Sequence, residues 1–325
     1  MIITKTPYRI SLFGGGTDYP LWFEQHSGAV LSFAIDKFCY ISVRDLPPFF
    51  SHKYRISYSK IESTNTVDEI QHPVVREAIR KYALTNSLEV QHHGDLPAMS
   101  GVGSSSAFSV GIIHSLLALQ GNKVDLSYLA NEAINLEQII LNENVGSQDQ
   151  IACAVGGINF IEFQPQSDWK LSPLKISPNR IAELEERIVL LYSGKARNSS
   201  EVSKGLIDNL KKQEKLMLRT LSLAEQGNKL ISGNFDLDTI GSMLSESWEI
   251  KKVMNPLSTT DQIEDLFSSG IKAGALGGKV LGAGGGGFCM FWVKNGERDN
   301  FLREMPNLVN VPIKISPLGS VIFSS

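Results

Sequence analysis

One junction restricts the fold more than any other. The small-residue run Leu96-Pro-Ala-Met-Ser-Gly-Val-Gly-Ser-Ser-Ser-Ala107 passes without a break into an apolar-periodic helix marked by Ala107, Phe108, Ile112, Leu116 and Leu119. Gly101 and Gly103 let the backbone approach a ligand closely, and the unpaired N–H groups of the first helical turn then point at it. That end carries about half a positive charge from the helix dipole, so Ser100, Gly101, Val102, Gly103, Ser104, Ser105 and Ser106 suit a polyanion such as a triphosphate. The hydroxyls of Ser104, Ser105 and Ser106 can add a hard-oxygen ligand for Mg2+. A serine-capped turn without a ligand is the structural alternative.

Two further glycine-rich loops narrow the chemistry. Gly274-Ala-Leu-Gly-Gly-Lys279 has the wrong spacing for a Walker loop and is followed by Val280. The segment Gly282-Ala-Gly284-Gly285-Gly286-Gly287 matches GxGxxG but runs into the apolar strand Phe288–Val293, whereas a dinucleotide loop must open a helix. The N-terminal loop, Pro7-Tyr-Arg9-Ile-Ser-Leu-Phe-Gly-Gly15-Gly16-Thr17-Asp18-Tyr-Pro20, ends a strand in three glycines, a hydroxyl and a carboxylate. A tightly held Asp18 suits sugar hydroxyls; a turn-former bonding its own backbone is the alternative.

The helix after Asp125 adds two carboxylates. Glu137 lies four residues after Ala133, seven after Ala130 and three before Ile140, so it falls within the apolar stripe; Asn131, Asn135, Gln138 and Asn142 take the wet side. A buried carboxylate needs a partner, either a metal ion near the serine loop or an Arg or Lys. Asp149, in the polar loop Asn144–Ile151, can serve as the base that accepts a hydroxyl proton, or stand as a solvated loop acid.

The strand candidates are Ala29–Phe33, Phe38–Val43, Tyr54–Tyr58, Leu88–His92, Ile158–Phe163, Ile188–Tyr192, Phe288–Val293 and Val311–Ile315. Later helices are predicted over Leu206–Glu225, Leu237–Met254 and Asp261–Lys272. Without regular βαβ alternation the class is α+β. The length of 325 residues fits two domains, and the Pro/Ser-rich stretch Gln164–Asn179 places them at 1–175 and 176–325. A formal charge of −3 gives no basic face for nucleic acid or an anionic membrane. Three scattered cysteines, no signal-like apolar run after Met1–Ser11 and no long apolar span predict a cytoplasmic protein with reduced thiols and no membrane partner. An oligomer stays open.

Taken in order, the three loops resemble those of the GHMP kinases. Met99–Ser106 is similar to their phosphate loop, Gly277–Phe288 to their C-terminal glycine motif and Pro7–Tyr19 to their substrate motif. The resemblance implies a ribosomal-protein-like N-terminal domain, a ferredoxin-like C-terminal domain, and ATP, Mg2+ and a small-molecule sugar or sugar phosphate in the cleft between them. It implies that Asp149 is the catalytic base, that Arg9 lies near the transferred phosphoryl, and that Ser105, Ser106 and Glu137 hold the metal. It assigns Gly15, Gly16, Thr17 and Asp18 to the substrate and Gly282, Gly284, Gly285 and Gly286 to the C-terminal motif. Galactokinases carry Glu-His where Gly15 and Gly16 stand, so two hydroxyl-reading side chains are missing here. The Gly-Gly-Gly-Thr-Asp-Tyr-Pro form looks like that of D-glycero-D-manno-heptose 7-phosphate kinases, which implies phosphorylation of an anomeric hydroxyl; kinase domains acting on L-fucose share it. Arg197 is the expected contact for a distal phosphate. A non-catalytic sugar and ATP sensor, or a diphosphomevalonate decarboxylase, is the rival on the same fold.

Overall fold

The computed structural model describes residues 1–82, 86–194, 209 and 212–324. The strands among them sort into two sheets. The larger holds β1 (Ile2–Phe13), β2 (Gly28–Asp45), β3 (Tyr54–Ser57), β4 (Ile61–Thr64), β5 (Leu88–Gly94), β6 (Ile158–Phe163) and β7 (Lys170–Pro173). The smaller holds β8 (Ile188–Tyr192), β9 (Ala275–Val280), β10 (Phe288–Val293) and β11 (Val309–Asn310), in the order β11-β8-β10-β9. The last strand, β12 (Val321–Ser324), returns to the larger sheet beside β1, giving β12-β1-β2-β5-β3-β4 with β6 on β2 and β7 on β6.

The predicted strands Ala29–Phe33 and Phe38–Val43 are one strand. The first part of β2 pairs with β6 (Gly28 opposite Phe163) and its second part with β5 (Cys39 opposite Gly94). The pairing of β1 with β2 shifts register between Pro7 and Arg9. Proline cannot donate to a ladder and is tolerated at such irregularities, which also re-aim neighbouring side chains. Arg9 is therefore turned out of the regular sheet pattern by the sequence next to it.

The helices are α1 (Pro20–Phe23), α2 (Pro73–Lys81), α3 (Ser104–Leu119), α4 (Leu126–Ile134), α5 (Gln148–Val155), α6 (Pro178–Arg187), α7 (Glu214–Ser232), α8 (Asp238–Met254), α9 (Asp261–Lys272) and α10 (Arg298–Glu304). Helix α3 is buried along most of its length, not on one stripe alone. One of its polar residues pairs with β1: Ser115 Oγ lies 2.9 Å from Thr4 Oγ1. Among the described residues no helix is long and apolar enough to cross a membrane.

Three expectations are corrected. Residues 275–280 form a strand although Gly277 and Gly278 suggested a loop; a Cβ on Gly277 would lie 1.8 Å from Gly241 O, so Gly277 lets α8 sit directly on β9, and a Cβ on Gly278 would lie 2.5 Å from Met290 O of β10. The predicted strand Val311–Ile315 is instead β11 at Val309–Asn310 followed by a single bridge between Ile35 and Ile315. Helix α7 runs on to Ser232, past the expected end at Glu225. It also packs on the larger sheet, where a Cβ on Gly227 would meet the Phe13 ring at 2.6 Å.

Candidate active site

A cleft of about 480 Å3 is lined by the N-terminal glycine loop, the start of α3, the first turn of α5, and residues of α7, α8 and the C-terminal glycine loop. At its centre Arg9 and Asp149 form a bidentate pair, Nε to Oδ1 at 2.6 Å and Nη2 to Oδ2 at 2.5 Å. Arg9 Nη1 also donates to Gly101 O at 2.8 Å, and Arg9 N donates to Val102 O at 3.0 Å. The guanidinium thus ties β1 to the phosphate loop and to α5 at once. Asp149 stands in the first turn of α5, not in a loop, where the helix dipole favours a carboxylate.

Glu137 lies where α4 widens into a π-helical segment, Asn135–Ile140. The wider turn rotates the stripe: Leu136 and Glu137 point inward while Ile139 and Ile140, the latter expected inside, face solvent. Glu137 Oε2 accepts from Ser106 Oγ at 3.1 Å and from Gln150 Nε2 at 2.5 Å. Burial pushes its carboxyl up to about 7, against the opposing effect of nearby Ser109, Gln150 and Ser106. Ser109 Oγ and Glu137 Oε1 nevertheless both lack a hydrogen-bond partner of good geometry. A buried acceptor left open costs roughly 1–3 kcal/mol, so Oε1 is available to a further donor or a cation. Ser106 meets Glu137 directly; Ser105 lies on the exposed side of the same turn, open to the cleft.

In the N-terminal loop Gly15, Gly16 and Asp18 line the cleft. Asp18 Oδ1 accepts from Gly16 N at 2.9 Å and Oδ2 from Gln148 N at 3.2 Å, and Ser147 N donates to Asp18 O at 3.0 Å. Burial, then the charge of Asp149, raises its carboxyl to about 6. Thr17, expected at the substrate, is spent inside the loop: its Oγ1 donates to Gly14 O and accepts from Ala29 N.

The C-terminal glycine motif clasps the phosphate loop. A Cβ on Gly282 would lie 2.5 Å from Gly101 Cα, and one on Gly101 would lie 2.5 Å from Leu281 O. Phe288 N donates to Ser100 O, and Gly285 N to Ser258 O. Ser100 and Val102 are buried and shape this clasp, whereas Gly101, Gly103 and Ser104 face the cleft with Gly282, Gly284 and Gly286. Arg197 lies outside the described residues.

Sequence reasoning missed three features. One is an aromatic wall in which His72 stacks on Phe108 at 4.7 Å, with Tyr58 and His92 edge-on. Burial lowers the imidazole of His72 to about 4, so it is neutral there. The others are Lys251 and Lys279, which line the cleft. Lys279 sat in plain view inside the rejected Walker match, and Lys251 on an ordinary helix gave no signal.

Residues 69–157 match the GHMP kinases N terminal domain and residues 229–310 the GHMP kinases C terminal domain. The chain is 28% identical over 319 residues to a D-glycero-alpha-D-manno-heptose 7-phosphate kinase of Campylobacter jejuni, covering 94% of this chain and 93% of that one. It is 26% identical to a bifunctional fucokinase/GDP-fucose pyrophosphorylase of Arabidopsis thaliana, covering 92% of this chain and 30% of that one. The fold superposes on a D-glycero-D-manno-heptose 1-phosphate kinase from Bacteroides thetaiotaomicron with a TM-score of 0.82 and 23% identity, over 100% of this chain and 99% of the other. For Lactococcus lactis galactokinase with galactose the TM-score is 0.75 at 18% identity, over 98% and 95% of the two chains. With both domain matches in chain order around a cleft that joins their glycine loops, the chain belongs to the GHMP kinase family.

Proposed function

We propose that the chain is an ATP-dependent kinase that phosphorylates the anomeric hydroxyl of a sugar phosphate, D-glycero-D-manno-heptose 7-phosphate. The Arg9–Asp149 pair carries the reading, because it stands between a loop suited to triphosphate and a loop suited to sugar hydroxyls. Asp149 keeps free lone pairs beside its two bonds to Arg9 and accepts the proton of the attacking hydroxyl. Arg9, fixed by Gly101 O and Asp149, keeps two of its five N–H groups for the phosphoryl oxygens. An anomeric hydroxyl is more acidic than an ordinary alcohol and asks less of this base.

Mg2+ fits the donors on hand. No group of three or more His, Cys, Asp or Glu gathers among the described residues, so the protein offers one carboxylate, Glu137, and the Ser106 hydroxyl. Mg2+ is commonly held in this way, by one or two carboxylates, substrate phosphates and water. When bound it would neutralise phosphate charge. The N–H groups at the start of α3 would hold the triphosphate from the other side. The wall of Tyr58, His72, His92 and Phe108 suits the flat purine of the nucleotide, offering aromatic faces and neutral imidazole.

The substrate end has Gly15 and Gly16 where bulkier polar residues would crowd a longer sugar, and the relatives named above include kinases for a heptose phosphate and for fucose. The test is 31P and 1H NMR of the product formed from ATP and the heptose 7-phosphate. A second phosphate coupled to the anomeric proton supports the reading. Phosphorylation at another carbon, or turnover of free L-fucose in preference to any sugar phosphate, overturns the substrate and leaves the kinase.

A further inference from the structure

The phosphate loop Leu96–Ala107 contains no basic residue, and Arg9 beside it is paired with Asp149. Further positive charge at this place would add to what Arg9 offers a transferring phosphoryl group. Two lysines from the second half of the chain reach the same place. Lys279 is buried at the end of β9, and its Nζ donates to Leu12 O at 3.0 Å, three residues along β1 from Arg9. Lys251, on α8, keeps solvent contact through the cleft; its Nζ donates to Val280 O at 3.2 Å and to Gly282 O. Gly282 packs on Gly101, whose carbonyl holds Arg9 Nη1. Both amines thus sit on segments that flank Arg9, that of Lys279 on β1 at Leu12 and that of Lys251 at the Gly282–Gly101 contact, near enough for the charge of Arg9 to act on each.

Among the described residues neither lysine forms an ion pair; both donate to backbone carbonyls, and Lys251 Nζ also lies 5.7 Å from the centroid of the Trp248 ring. An ammonium has three donors, so Lys251 retains one and Lys279 two. Buried cations without a carboxylate are costly unless an anion arrives. Burial lowers both amines, Lys279 to about 7; Lys279 and then Arg9 further repel Lys251, and Arg9 repels Lys279.

We propose that Lys251 and Lys279 are catalytic residues that contact the transferring phosphoryl group, so that the C-terminal glycine loop and its lysines complete an anion site whose other half is the start of α3. The inference rests on the kinase reading above and deepens it by naming what compensates the charge in flight.

The experiment compares wild type with Lys251→Met and Lys279→Met, using binding of ADP and of the non-hydrolysable triphosphate AMPPNP with Mg2+, thermal unfolding without ligand, and turnover. Each variant is expected to lose roughly 10- to 100-fold in AMPPNP affinity or in kcat while ADP affinity stays within a few-fold, as for loss of a charge-assisted bond to one phosphoryl group. Unliganded unfolding should shift by no more than a few degrees. A lowered unfolding temperature with the AMPPNP/ADP ratio and kcat intact in both variants would make the lysines carbonyl tethers and overturn the proposal. Equal loss of ADP and AMPPNP would overturn it too, placing them at the inner phosphates. Wild type that binds neither nucleotide overturns both this inference and the kinase reading; wild type that turns over sugar while both variants match it overturns the lysine assignment alone.

Discussion

Replacing Glu137 with glutamine should stabilise the empty protein and cripple the loaded one. Glu137 is 1% exposed, and its carboxyl is raised by burial from its ordinary 4.5 to about 7. Between these values the folded chain holds a proton that the unfolded chain has released. Stability from this group is therefore full below about 4.5, declines as pH rises, and is lost above about 7. At about 1.4 kcal/mol per pH unit the loss comes to about 3 kcal/mol, an order-of-magnitude figure. The amide of Glu137→Gln cannot ionise; its oxygen can take the Ser106 and Gln150 bonds and its NH2 can serve the unpartnered Ser109 Oγ. In EDTA at pH 8 the variant should be about 1–3 kcal/mol more stable than wild type, or about 2–6 °C in unfolding temperature, with the gap closing near pH 5. With Mg2+ and AMPPNP the order should reverse, and turnover should fall at least about 100-fold, the several kcal/mol that a metal supplies to phosphoryl transfer. A variant less stable than wild type at pH 8 in EDTA, with Mg2+-dependent turnover unchanged, would show that Glu137 is an ordinary structural acid and refute the reasoning.

Other expectations follow from the same geometry. Asp149→Asn should lower kcat by about 10²-fold or more, with sugar affinity measured by calorimetry changing little; a kcat within threefold of wild type would remove Asp149 as base. Gly103 sits at φ 73°, and a Cβ there would lie 3.0 Å from Arg9 Cγ. Gly103→Val should therefore weaken nucleotide binding through about 1–2 kcal/mol of left-handed strain and a displaced guanidinium, and unchanged affinity in a folded variant would count against the phosphate loop. Gly282→Ala would place a methyl 2.5 Å from Gly101 Cα, so it should reduce ATP affinity and unfolding temperature together; loss of neither would mean that the clasp is slack.

Much of the candidate site was legible because it is written in local signals. Glycines at Gly101 and Gly103 followed by serines and an apolar helix suit an anion. Glu137 stood out because a carboxylate in an apolar stripe needs a reason, although the π-helical turn that aims it, and that exposes Ile140, is invisible to a helical period. What stayed hidden depends on contacts across long sequence gaps. Thr17 resembles a ligand until Ala29 is seen to occupy its hydroxyl. Gly277 and Gly278 read as a loop until α8 is seen lying on the first and β10 against the second. Lys251 and Lys279 become informative only when β9 and α8 carry them to Arg9. The return of β12 to β1 has the same origin, since nothing near Val321–Ser324 encodes a partner at Ile2–Lys5, the far end of the sequence.

The central claim is that this cleft moves a phosphoryl group from ATP to the anomeric hydroxyl of a sugar phosphate. ADP release with Mg2+ and ATP, measured in parallel on D-glycero-D-manno-heptose 7-phosphate, galactose, L-fucose and water alone, tests it most directly. The account predicts rapid release with the heptose phosphate, little with either free sugar, and loss of the signal in Asp149→Asn. Release no faster than with water for every sugar and sugar phosphate tried would contradict it.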